Sequence, residues 1–127
     1  RCDPERLRSV NLGNNKQAEL SLEEIAERLR HFKQLQKLDL SVCEQVHGGL
    51  SSIAARLPQL RGLNLAKCSR VTGELEDLKP LAHLETLNLS YCREVGGTLS
   101  GLLAACGPTL RQLQLSNCRK VRGALSC

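Results

Sequence analysis

One sixteen-residue pattern occurs four times without a gap, at 35–50, 60–75, 84–99 and 110–125. Its form is L-x-x-L-x-L-x-x-C-x-x-V-x-G-x-L, and every defined position is filled in all four copies. The copies start 25, 24 and 26 residues apart. A unit this short cannot enclose a core by itself, so its apolar positions are buried only when successive copies stack. A weaker copy precedes them, with Leu7, Val10 and Leu12 in the leucine slots and Asn15 where the others have cysteine. The expectation is about five stacked turns forming one domain over residues 1–127. The chain does not open with Met, which predicts a processed protein or a segment of a longer one, capped by further repeats or by a partner.

The pattern has a direct physical reading. Leu-x-Leu, as in Leu38-Asp39-Leu40, has the period-two alternation of a short strand, with leucines inward and the middle residue outward. Cys43, Cys68, Cys92 and Cys118 then occupy one turn position, where a small apolar side chain with a weak donor can lie inside and serve loop carbonyls. Val46, Val71, Val95 and Val121 continue the interior, and Gly48, Gly73, Gly97 and Gly123 allow a tight backbone path. The return segments differ. Ser21 and Glu24 form a capping box that predicts a helix from Leu22 to about Lys33, with Leu22, Ile25, Ala26, Leu29 and Phe32 on one face. Helices are also expected after Leu50 and Leu99, whereas Pro80 predicts an irregular or 3₁₀-like return after Leu75.

These motifs resemble leucine-rich repeats from Leu7 to Leu125. Cysteine in the ninth slot is similar to the cysteine-containing class found in many F-box proteins, and V-x-G-x-L is similar to the L-x-G-x-I of the plant-type class. The resemblance implies an α/β solenoid with a curved parallel sheet on its concave side, a helical or irregular convex side, and a binding surface on the strands. Twenty-six leucines, one Phe, one Tyr and no Trp or Met agree with a core of aliphatic side chains.

Seven cysteines invite a disulfide or metal reading. Four of them recur once per repeat with no C-x-x-C pair and no histidine at ligand spacing, which is unlike a zinc site. Equivalent cysteines one strand apart, about 4.8 Å, are close enough to bond but have parallel side-chain vectors that disfavour it. They read as buried structural thiols, which implies reducing, intracellular and in the simplest case cytoplasmic surroundings. Cys106 is expected in the core; Cys2 and Cys127 have no assignable role. His31, His47 and His83 fall in different repeat slots beside no nucleophile, and no catalytic or phosphate-binding motif is present. An enzyme is not expected, nor a catalytic residue, cofactor or metal, and no apolar run is long enough for a membrane span.

What remains is the strand face. Its central column, Asp39, Asn64, Asn88 and Gln114, is polar throughout and reads either as a ladder of mutually bonded side chains or as ligand contacts. Tyr91 is the aromatic residue of this face and the first candidate for an interface anchor, with Lys67 nearby in the repeat. Charge is uneven: the formal net charge is +5, and residues 95–127 hold Arg111, Arg119, Lys120 and Arg122 with no acid. Arg119 and Arg122, joined by Arg93 and Arg70 from neighbouring turns, predict a basic stripe. It reads as a solvated loop edge or as a docking edge for an acidic segment or RNA. The functional expectation is a noncatalytic protein-interaction scaffold, with a protein partner on the strand face or the adjacent loops. A substrate receptor of an F-box type ubiquitin ligase would need a helical module that the first 34 residues do not show. An accessory protein of a ribonucleoprotein would need an aromatic stacking platform, so nucleic acid is the weaker partner.

Overall fold

The computed structural model describes residues 6–15, 17 and 19–122. Each Leu-x-Leu segment forms a three-residue strand: β1 (Ser9–Asn11), β2 (Lys37–Asp39), β4 (Gly62–Asn64), β6 (Thr86–Asn88) and β8 (Gln112–Gln114). They pair in parallel in the order β1-β2-β4-β6-β8. Register follows the repeat: Val10, Leu38, Leu63, Leu87 and Leu113 lie side by side, as do Asn11, Asp39, Asn64, Asn88 and Gln114. This is the stacking that the period requires.

A second parallel sheet was not legible in the sequence. Strands β3 (His47–Gly49), β5 (Arg70–Glu74), β7 (Val95–Thr98) and β9 (Lys120–Arg122) pair in that order, so the Val-x-Gly stretch is also a strand. Its glycines have a tertiary reason. Gly73 and Gly97 have φ of +115° and +94°, and an added Cβ would lie 3.0 Å from the Leu50 nitrogen and 2.7 Å from the Leu75 nitrogen. The strand therefore passes directly over the first residue of the preceding turn's return segment, where no side chain fits.

The return segments form the third side. They are α1 (Leu22–Leu29), α2 (Leu50–Arg56), a 3₁₀ turn at Leu75–Leu78, and α3 (Leu99–Cys106). Ser21 caps α1 by accepting from the Glu24 N–H at 3.0 Å, as the capping box predicts. This helix ends at Leu29, short of Lys33. Phe32 N–H instead bonds Leu29 O and Leu35 N–H bonds Phe32 O, bending the chain down so that Lys37 can align with Ser9 in the sheet. Register in the stack overrides helix propensity here.

Leucines from all three sides, with the four turn cysteines, form one continuous core. Burial fades toward the last turn: Leu60, Leu63 and Leu65 are buried, whereas Leu110, Leu113 and Leu115 are only half-buried. Gly123, Leu125 and Cys127 lie outside the described residues, as does Cys2.

Candidate protein-binding surfaces

Each turn is closed by the same bonds. The carbonyl of the second strand leucine accepts the turn cysteine's N–H, as Cys68 N–H to Leu65 O at 3.1 Å. The same carbonyl then accepts the thiol of the next turn, Cys92 Sγ to Leu65 O at 2.9 Å. Cys43, Cys68 and Cys118 repeat this toward Leu12 O (3.1 Å), Leu40 O (2.9 Å) and Leu89 O (2.8 Å). The thiols are thus cross-turn donors as well as core atoms. Burial pushes Cys68 up to about 11 and Cys92 up to about 12, and it raises Cys118 and Cys106 too. Thiolates, and hence thiol nucleophiles, are disfavoured at these sites. Cys106 is buried in α3 and donates to Leu81 O at 3.3 Å. Among the described residues, no three His, Cys, Asp or Glu side chains converge as metal ligands.

The central polar column lines a groove on the five-stranded sheet with Ser9, Asn11, Lys37, Thr86 and Gln112. Its side chains work locally. Asp39 Oδ1 accepts the Ser41 N–H (2.8 Å), Asn64 Oδ1 the Ala66 N–H (3.0 Å) and Asn88 Oδ1 the Ser90 N–H (3.0 Å). Each is an Asx turn that starts the bend after its strand, a role the two sequence readings of this column did not include. Gln114 stands exposed in the same column. Ser90, two residues after Asn88, is buried.

Tyr91, Lys67 and Arg93 come together in a second depression, with Glu44 and Ser69. Lys67 Nζ lies 5.8 Å from the centroid of the exposed Tyr91 ring, within cation–π range. Sequence reasoning missed the backbone here. Asn14, Val42, Lys67, Tyr91 and Asn117, the eighth slot of each turn, all have φ between 58° and 65°. The Val42, Lys67 and Tyr91 N–H groups bond to Ala66, Ser90 and Ser116 carbonyls in the following turn at 2.7 to 2.8 Å, which holds the left-handed geometry in place. The asparagines at both ends of the series were the available signal, since Asn tolerates that region best after Gly.

Arg119 and Arg122 lie elsewhere, in a depression over the second sheet with Lys120, Glu74, Glu76 and Glu94. The expected stripe is therefore divided and partly neutralised. Lys120 pairs with Glu94 at 2.7 Å, and Arg70 donates to Gln45 Oε1 at 2.8 Å. Glu76 is structural: its carboxylate takes the Thr98 N–H at 3.1 Å and the Thr98 hydroxyl at 2.9 Å, pinning the start of α3. Bonds from its own backbone and from Thr98 hold its pKa below the usual carboxylate value.

Residues 83–106, which span β6, the Cys92 turn, β7 and α3, match the family model of the leucine-rich repeat. The turn at 83–106 is a leucine-rich repeat, and the other turns stack on it in the same register. The chain is also similar to the antagonist of mitotic exit network protein 1 of Eremothecium gossypii, 33% identical over 118 residues. That match covers 89% of this chain and 30% of the relative, so this chain spans under a third of the relative's length. No helix among the described residues is long and apolar enough to cross a membrane.

Proposed function

We propose that this leucine-rich repeat chain is a noncatalytic scaffold that binds another protein through its strand face and the adjoining turns. The observation that carries the reading is the regular face itself. Side chains from successive turns are presented at one strand spacing, about 4.8 Å, on a frame whose apolar groups, thiols and turn carbonyls are already occupied. Such a surface offers many weak contacts in fixed register rather than a few convergent reactive groups. The relative's name, an antagonist of the mitotic exit network, fits a chain that acts by occupying a partner.

Affinity capture followed by crosslinking and mass spectrometry tests this. Crosslinks should fall on the strand face and its turns, at residues such as Lys37 and Lys67. Lys37→Glu and Gln112→Glu should weaken capture of the crosslinked protein, while Arg28→Glu and Ala55→Arg on the helical side should not. The reverse pattern overturns the assignment.

A further inference from the structure

Backbone strain marks one strip of this surface. Left-handed φ is inexpensive for Gly or Asn and unfavourable for bulky residues, most of all for a β-branched one. The chain uses Asn in the first and last turns, at Asn14 and Asn117, yet places Val42, Lys67 and Tyr91 in the three middle turns at φ 58°, 65° and 65°. Core packing does not explain these side chains, because Lys67 and Tyr91 are exposed and Val42 is half-buried. Local geometry does not explain them either, since Asn satisfies the same turn one or two repeats away. Strain that persists where a better residue is available points to side chains kept for contact.

The charge around the strip indicates what it contacts. Lys67 stacks over Tyr91, and Arg93 shares the depression. Among the described residues, neither Arg93 nor Arg119, the equivalent position one turn on, is ion-paired. Glu44 is the acid of this depression, at the Val42 end. The strip thus presents an apolar and aromatic ridge with unpaired cations toward the later turns.

Building on the scaffold reading, we propose that Val42, Lys67, Tyr91 and Arg93 form the docking strip for an acidic protein segment. Its carboxylates would meet Lys67 and Arg93, and an apolar side chain would pack beside Tyr91. The segment runs across the turns, so its successive carboxylates meet different repeats.

The test uses the chain and a displayed library of random twelve-residue peptides. Selected peptides should carry an excess of Asp and Glu, and they should bind about ten-fold or more weakly to a Lys67→Glu, Arg93→Glu variant, with most of the salt dependence lost. Val42→Asn and Tyr91→Asn should each raise the thermal midpoint by about 4 °C, the shift expected from relief of left-handed strain. Tyr91→Asn should at the same time weaken the selected peptides. Peptides without acidic excess, peptides indifferent to the charge reversals, or no selected peptide at all would overturn the proposal. So would tighter binding of poly(U) RNA than of the peptides to the same strip. Peptides weakened instead by Gln112→Glu and Lys37→Glu would overturn this strip while leaving the scaffold reading intact.

Discussion

Cys92 is the most informative single position, because its thiol combines two roles that substitution can separate. The side chain is fully buried, and Sγ donates to Leu65 O at 2.9 Å. That carbonyl also accepts the Cys68 N–H at 3.1 Å, so it keeps one bond if the thiol is lost. Cys92→Ala removes volume and donor together. Losing a buried sulfur and leaving a small void should cost about 2 kcal/mol, at the low end of large-to-small core changes, and the lost weak bond adds at most about 0.5 kcal/mol. Cys92→Ser keeps a donor facing the same acceptor, so the hydroxyl is paired and the cost is about 1 to 2 kcal/mol. Cys92→Val overfills the site by about one methyl group and lacks the donor, so it should cost about 1 to 3 kcal/mol. Urea unfolding under reducing conditions measures all three, read as midpoint shifts at constant m. Ala and Val variants equally damaging, with Ser clearly milder than both, would show that the cross-turn bond, not packing, makes the ladder. An Ala variant within about 0.5 kcal/mol of the parent, the size of a change at an exposed position, would show that the site is not buried core.

Alkaline stability follows from the same thiols. In the unfolded chain they lose protons from about pH 9, whereas burial holds Cys68 and Cys92 protonated up to about 11 and 12. Their contribution is complete below pH 9 and falls above it, by on the order of 1.4 kcal/mol per pH unit per thiol. Cys92→Ala should flatten that slope between pH 9 and 11, and an unchanged slope refutes the linkage. In native protein Cys43, Cys68, Cys92 and Cys118 should react with a thiol reagent far more slowly than after denaturation; rapid native labelling contradicts the ladder. Thr98→Ala should destabilise by about 1 kcal/mol through loss of the α3 cap, visible as faster amide exchange at Gly101, whose N–H bonds the Thr98 hydroxyl. Asn64→Asp should be nearly neutral in thermal unfolding, because Asp39 performs the same turn bond, while Asn64→Ala should lower the midpoint.

Much of the architecture was determined by the sequence alone, because a repeat gives the same information several times. Leu-x-Leu, the turn cysteine and the fixed period specify parallel strands in register, and no other stacking buries Leu38, Leu63 and Leu87 together. Proline at 80 and the Ser21 to Glu24 cap were similarly local signals, and the 3₁₀ turn and α1 formed where they pointed. Tertiary structure decided what depends on the neighbouring turn. The second sheet has strands of three to five residues, two of which carry adjacent glycines and so show no usable alternation; it exists because turns about 25 residues apart supply its partners. The end of α1 was set by the register of β2. The candidate sites divide in the same way: the types of Tyr91, Asn88 and Arg119 were visible in the sequence, but their grouping was not. Only stacking places Lys67 over Tyr91 and sends Arg119 and Arg122 to a different side with Glu74 and Glu76, whereas the Asx-turn bond of Asn88 to the Ser90 N–H is local. The left-handed strip belongs to this second class, since its φ values are held by hydrogen bonds to the following turn and not by the residues that adopt them.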